Sequence, residues 1–343
     1  MRTSEALASG ASRDGARDVV LRMRGVHVEF ETFDGSVHAL NGVDLDLRRG
    51  TITGLVGETG CGKSLTARAI MGIVPQPGRL TAGSIEFDGR DLARVDERAL
   101  RNVRGKEIAM IFQNPRAALN PLFTVERQLD LVLRRHTTLD ARGRRQRSLE
   151  LLRSVGLADP ERRLKSYPFE LSTGMCQRVM IAIGLSCTPT LLIADEPTTG
   201  LDVTIQAQIL ELLRVLVHDL GSTALLITHD LGVVAQTCDR IAVMYAGEVV
   251  ETGTTDDVLD RPMHPYTRGL LRASRVEEGL ASIAGNVPDL RRPIVGCPFA
   301  PRCDLADDRC RSARPPTLVV TPGHTVKCPN TGAAEQGEMR DAP

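Results

Sequence analysis

The stretch Gly57-Glu58-Thr59-Gly60-Cys61-Gly62-Lys63-Ser64 constrains this 343-residue chain more than any other, because it fits the phosphate-loop pattern G-x-x-x-x-G-K-S/T at every defined position. Its surroundings agree. Thr51 to Val56 predicts a short buried strand, and Leu65 to Met71 predicts the start of a helix. Three glycines let the backbone curl until successive N–H groups and the helix N-terminus face phosphate oxygens. Lys63 then supplies a cation for the β and γ phosphates, and Ser64 a hydroxyl for magnesium. The alternative, a glycine-rich turn that binds nothing, is disfavoured by the complete pattern in this context.

Apolar strands that end in polar residues come next. Leu191 to Ala194 runs into Asp195-Glu196, Thr223 to Thr228 into His229-Asp230, and Glu107 to Phe112 stops at Gln113. Such strands alternating with helices predict a largely parallel, doubly covered sheet, whose strand ends are where α/β folds place ligands. A carboxylate after an apolar strand, Asp195, is the usual second holder of magnesium beside Ser64. Glu196 can polarise the attacking water, His229 can sense or stabilise the γ-phosphate, and Gln113 can reach the metal or that water. Singly, a strand-end Glu or His is more often structural. Their joint appearance behind a phosphate loop favours function.

Ahead of the loop, Val19 to Phe30 and Ser36 to Leu47 alternate apolar and polar residues around Asp34-Gly35, which is hairpin chemistry. Phe30 and Phe33 are the aromatics there; either can stack on an adenine, and either can be an ordinary strand-face residue. Thr81 to Gly89 predicts a further strand and turn. From Asn114 to Phe169 the pattern turns helical, broken at Pro115, Pro121, Pro160 and Pro168, and reads as an inserted helical subdomain. Its basic run Arg142, Arg144, Arg145 and Arg147 fits a solvated helix face better than an anionic partner.

Lys plus Arg and Asp plus Glu both number 43, so charge singles out neither nucleic acid nor any other partner. Residues 1–18 have no apolar core and are expected to be disordered rather than a secretory signal. No apolar run approaches the ~20 residues of a membrane-spanning helix. Of eight cysteines, Cys297, Cys303, Cys310 and Cys328 cluster with five, six and seventeen residues between them. Clustering without an export signal argues for metal. Zinc usually takes two close C-x(2–4)-C pairs, which are absent; four thiolates can also hold an iron–sulfur cluster; free or paired thiols stay open. Cys61 lies in the phosphate loop, where a helix N-terminus can lower its pKa and alkylation would block nucleotide. Cys176, Cys187 and Cys238 read as small buried or loop residues.

Two further blocks identify a family. Leu171-Ser172-Thr173-Gly174-Met175-Cys176-Gln177-Arg178 resembles the ABC signature, and Leu192 to Asp202 closely resembles the ABC Walker B and D-loop block. The resemblance spans roughly residues 19–330 with motifs in the family's order. Ala109 to Pro115, Ala118 to Pro121 and Met263 to Thr267 look like the ATPase subunits of oligopeptide, dipeptide and nickel importers. The resemblance implies an ABC-type P-loop ATPase fold of class α/β, with an antiparallel β subdomain, a helical subdomain at about 114–170 that receives the membrane channel, and a small cysteine-containing C-terminal domain. It implies an ATPase domain over 19–260, an extension over 261–330 and a disordered tail over 331–343.

As cofactors it implies ATP and Mg2+, with Gly57 to Leu65 and Phe30 on ATP, Ser64, Gln113 and Asp195 on magnesium, and Glu196, His229 and Gln113 catalytic. Ser172, Thr173, Gly174 and Met175 would act on a partner's ATP, with Asp202 in the D-loop. The C-terminal cysteines would ligate a 4Fe–4S cluster. Implied partners are a second ATPase subunit, two membrane permeases and an extracytoplasmic binding protein, at the cytoplasmic face of the membrane and without nucleic acid. The expected function is energising peptide import; a nickel or small-solute importer is the alternative. A soluble ABC protein or weakly hydrolysing module fits less well, since there is one Walker A, no internal repeat and no heptads. One departure stands out. Thr173 occupies the signature's first glycine and Cys176 a position that is usually Arg. A Cβ at 173 should weaken contact with a phosphate, which suggests a heterodimer whose composite site completed by Ser172 is the weaker; Thr simply being tolerated is the alternative.

Overall fold

The computed structural model describes residues 18–33, 35–201, 203–219, 221–274 and 283–331. Nearly all of the two termini expected to be disordered, and Asp202 of the D-loop, lie outside the described residues. The chain divides into two compact units, each made of separate chain segments: a first of residues 1–23, 45–51 and 84–225, and a second of 24–44, 52–83 and 226–343. In chain order the strands are β1 (Val19–Thr32), β2 (Gly35–Arg48), β3 (Ile52–Val56), β4 (Gly78–Phe87), β5 (Arg90–Asp91), β6 (Ile108–Ile111), β7 (Leu191–Asp195), β8 (Thr223–Ile227), β9 (Arg240–Tyr245), β10 (Glu248–Thr254), β11 (Leu318–Thr321) and β12 (His324–Val326). Strands β3, β7 and β8 are buried along their whole length, as continuous apolar runs require of strands covered on both faces.

In the first unit, β6 and β7 pair in parallel from Ile108↔Leu191 to Ile111↔Ala194. The segment predicted to be helical forms Pro115–Ala118, Val125–His136, Ala141–Ser154 and Pro160–Leu164, followed by a 3-10 turn at Pro168–Glu170. Side-chain caps start the two longer helices: Thr124 accepts from the Arg127 N–H and Asp140 from the Gly143 N–H. Val125, Leu129 and Leu133, four residues apart, are fully buried on one stripe. The basic run is not a uniformly solvated face. Arg144 is largely buried against Asp130 at 2.5 Å, and Arg145 pairs with Glu126 at 3.3 Å, so arginines of one helix hold acids of its neighbour.

In the second unit β9 lies parallel to β3, in register from Thr53↔Arg240 to Val56↔Val243. Beyond β9 the sheet turns antiparallel, in the order β3-β9-β10-β12-β11. The expected parallel arrangement holds for β3 with β9 and for β6 with β7, and it stops at β10 for a local reason. Ala246 and Gly247, at φ +48° and +81°, form a two-residue turn between β9 and β10, and such a turn can only join antiparallel neighbours. The C-terminal strands β11 and β12 then extend that edge. At the end of β9, Tyr245, Tyr266 and Phe299 pack ring to ring, with centroids 4.5 to 5.5 Å apart, which fastens residues far down the chain next to the phosphate loop.

Candidate functional site

The second unit builds the phosphate loop. Strand β3 delivers Gly57, the loop closes with Gly62 at φ +110°, and the helix Lys63–Ile70 begins at once. Gly62 is wedged: a Cβ there would lie 2.8 Å from Met244 Cε and 2.9 Å from Leu40 Cδ2. Lys63, only 7% exposed, donates from Nζ to the carbonyls of Gly57 at 2.8 Å and Glu58 at 3.0 Å. The loop is braced from outside by the β9–β10 turn, where the Gly247 N–H donates to the Cys61 carbonyl at 2.9 Å.

Cys61 corrects one expectation. Its side chain is 2% exposed, and burial pushes its thiol pKa up; the pull of Lys63, 3.8 Å away, is the smaller effect. Burial therefore outweighs the helix terminus, and Cys61 is a packing residue of the loop. Phe33 is fully exposed, whereas Phe30 is half-buried with its ring lying over Gly78, where a Cβ would meet Phe30 Cε1 at 2.5 Å. His229 is exposed just past β8, and the Thr228 N–H donates to the Leu55 carbonyl at 3.4 Å, setting His229 at the end of the strand that carries the loop. Asp230, next to it, caps the helix Leu231–Thr237 by accepting from the Gly232 and Val233 N–H groups.

The first unit brings together the expected catalytic pair. Because Ile111 and Ala194 are register partners on β6 and β7, the residues two further on, Gln113 and Glu196, meet beyond the strand ends. Gln113 Nε2 donates to Glu196 Oε2 at 2.7 Å, and Thr199 Oγ1 donates to the same oxygen at 2.9 Å. Glu196 sits at φ +47°, a conformation that costs a non-glycine residue on the order of 1 kcal/mol and is typical of functional turns. Asp195 before it is 3% exposed.

The signature helix, Thr173–Leu185, starts at Ser172, whose hydroxyl accepts from the Met175 N–H at 3.3 Å. Ser172 and Thr173 are exposed, and Gly174 and Met175 half-buried, at that helix end. Thr173 Oγ1 accepts from Arg116 Nε at 3.4 Å, and Arg116 also donates to the Leu171 carbonyl at 2.9 Å. Cys176 is fully buried, its thiol donating to the Pro168 carbonyl at 3.4 Å. Gln177 donates to the Pro197 carbonyl at 2.7 Å, tying the signature helix to the turn after Glu196.

All eight cysteines are free thiols. Cys297, Cys303, Cys310 and Cys328 line one cavity together with His264, Phe299 and Asn330, although among the described residues no three His, Cys, Asp or Glu stand close enough to grip a metal ion. The cavity they line is small, about 10 Å3. Burial pushes Cys297 up to about 11 and raises Cys303 and Cys328 as well.

Two residues that sequence reasoning missed bear on the loop. Tyr266 Oη accepts from the Glu58 N–H at 2.8 Å, and Arg302 forms a bidentate ion pair with the Glu58 carboxylate at 2.7 and 3.0 Å. Tyr266 lies inside the phrase Met263 to Thr267 and Arg302 directly before Cys303, but nothing in the sequence ties either residue to the loop.

Comparison with known proteins bears on the same regions. A family model for the ABC transporter matches residues 40–199, and one for the oligopeptide/dipeptide transporter C-terminal region matches residues 250–310. The dipeptide transport ATP-binding protein DppD of Bacillus subtilis is 47% identical, over 90% of this chain and 94% of its own length. The oligopeptide transport ATP-binding protein OppD of the same organism is 46% identical over 90% of this chain and 88% of its own, and DppD of Escherichia coli 45% over 90% and 96%. Among solved structures, the dimeric cassette MJ0796 in a post-hydrolysis state with ADP and Pi superposes with TM-score 0.63 at 28% identity, covering 68% of this chain and 98% of that one. The ABC transporter component cbiO1 from Clostridium perfringens superposes with TM-score 0.59 at 29% identity, covering 71% and 92%.

Proposed function

Because the chain belongs to the ATP-binding subunits of oligopeptide and dipeptide ABC transporters, we propose that it is the ATPase that energises peptide import, held at the cytoplasmic face of the membrane by two permease subunits and served by an extracytoplasmic binding protein. The observation that carries the peptide assignment is the match of residues 250–310 to the C-terminal region of oligopeptide/dipeptide transporters, beyond the ATPase motifs that every ABC protein needs. Among the described residues no helix is long and apolar enough to cross a membrane, in keeping with a subunit that relies on permeases. The test is transport-coupled: this chain, assembled with its permeases in liposomes, hydrolyses ATP faster when a peptide-loaded receptor is added. Stimulation by a nickel-loaded receptor and none by peptides overturns the peptide reading.

In this reading ATP lays its phosphates on Gly57 to Ser64 and the start of the helix at Leu65, with Phe30 at the base. Lys63, oriented by the carbonyls of Gly57 and Glu58, presents its ammonium to the β- and γ-phosphate oxygens. The hydroxyl of Ser64, the carboxylate of Asp195 and the amide oxygen of Gln113 are all hard oxygen donors and would hold Mg2+, which when bound neutralises charge on those phosphates. Glu196 takes the proton of the attacking water, Gln113 and Thr199 hold its carboxylate, and His229 stabilises the γ-phosphate. Asp202 would belong to the D-loop.

Two finer readings follow. The donor set of Cys297, Cys303, Cys310 and Cys328, four thiols lining one cavity, suits a 4Fe–4S cluster in chemistry. Protein purified without oxygen is then brown, with about four irons per chain expected for such a cluster; colourless, iron-free protein sinks the assignment. The second reading concerns the partner. Thr173 is exposed at the helix end that would face the partner's ATP, and its hydroxyl is held by Arg116, which supports a heterodimer with one weaker composite site. Thr173→Gly should raise the ATPase rate of the assembled transporter about two- to tenfold, the worth of one modest contact. An unchanged rate removes the idea.

A further inference from the structure

Arg302, which touches the phosphate loop through Glu58, has its whole guanidinium engaged. Its Nε donates to the Ala284 carbonyl at 2.9 Å, Nη1 to Glu58 Oε2 at 2.7 Å and to Tyr245 Oη at 3.3 Å, and Nη2 to Glu58 Oε1 at 3.0 Å and to the Ile283 carbonyl at 2.8 Å. That engages each guanidinium nitrogen and matches five acceptors to the five N–H donors an arginine owns. The side chain is 3% exposed, and the guanidinium carbon lies 5.7 Å from the Tyr245 ring centre and 5.9 Å from that of Phe299. A planar fork satisfied in this way is fixed in place, and a lysine cannot reproduce it.

Its target is the second residue of the phosphate loop. Glu58 is bound at all three of its polar positions: the carboxylate by Arg302, the N–H by Tyr266 Oη, and the carbonyl by Lys63 Nζ. A carboxylate on a loop built to receive a polyphosphate is an electrostatic liability unless a cation neutralises it. Arg302 supplies that cation from a point 244 residues away in the chain.

We propose that Arg302 is a positioning residue for ATP binding: by pairing with Glu58 it cancels a negative charge on the phosphate loop and fixes the carbonyl that steers Lys63, so that the C-terminal extension is part of the nucleotide site. The contact lies wholly within the second unit and stands whether or not the neighbouring cysteines carry a cluster.

The test measures affinity of the full chain for a fluorescent ATP analogue. Arg302→Ala exposes the Glu58 charge and raises Kd about tenfold, the factor that corresponds to about 1.4 kcal/mol. Adding Glu58→Gln to Arg302→Ala removes the charge and restores Kd to within about threefold of the parent, a rescue that a merely structural arginine would not show. In the assembled transporter Arg302→Ala raises KM for ATP while kcat at saturation changes less than about twofold. Should Arg302→Ala fail to fold, Arg302→Lys keeps the charge and the stem and loses the fork, and Kd is expected to rise about threefold. Unchanged affinity in the folded single variant, or a double variant no better than Arg302→Ala, overturns the proposal.

Discussion

Glu196→Gln stops turnover and leaves ATP bound. The rate of the assembled transporter is expected to fall at least about 10²-fold, the usual worth of a positioned general base, while affinity for ATP stays within about twofold. The geometry explains why the two effects separate. Gln113 and Thr199 both donate to Glu196 Oε2, at 2.7 and 2.9 Å, and the carbonyl oxygen of a glutamine can accept the same two bonds. The turn at φ +47° therefore survives the exchange, and only the basicity is lost. Phosphate release and nucleotide binding, measured on the same preparation, decide the matter. A variant that hydrolyses at a third of the parental rate or better would move the base elsewhere, and a variant that no longer binds ATP would make Glu196 a structural residue.

Gly57→Ala is the second large effect, and it acts on the fold of the loop itself. A Cβ at position 57 would lie 2.1 Å from the Met244 carbonyl oxygen and 2.9 Å from Cys61 Sγ, in a backbone already at φ +152°. The sulfur can move. The carbonyl cannot, because Met244 lies on β9, paired on one side with Val249 of β10, with only Tyr245 between it and the turn that braces the loop. Relief must then come from the phosphate loop, at a cost of about 3 kcal/mol or more. In a chain of this size that lowers the melting temperature by roughly 5 °C or more. Loss of ATP binding should accompany it, since Lys63 is held by the carbonyl of this same residue. A melting temperature within about 1 °C of the parent, with nucleotide still bound, contradicts the clash.

What the sequence made legible was local. The phosphate loop, the strands that end in Gln113, Glu196 and His229, and the helical stretch after Gln113 each declare themselves within a few residues, through glycine spacing, apolar runs and proline breaks. The antiparallel half of the second unit was hidden, because the turn that causes it, Ala246-Gly247, lacks the Asn-Gly or Asp-Gly pair that usually announces such a hairpin. Cys61 shows a different limit. Its position at a helix start is visible in sequence, whereas its burial against β9 is not, and burial decided its chemistry. The pairing of Glu58 with Arg302 lay further still out of reach. Nothing periodic links two residues so distant, and only the folded chain shows that one is the counter-ion of the other.

A divide after Asp260, the expected end of the ATPase domain, is not a place where this molecule can be cut. Glu251 on β10 is 1% exposed, and it accepts from the Met263 and His264 N–H groups at 2.8 and 2.9 Å and lies 2.9 Å from His324 Nε2. All three of those partners come from beyond residue 260. A shortened cassette that kept every catalytic motif would strand a buried carboxylate in apolar surroundings, strip β12 from β10 and take Tyr266 away from the loop. Modularity on paper and modularity in matter differ here: the nucleotide-binding half carries in its own core an acid whose partners Met263, His264 and His324 all belong to the extension.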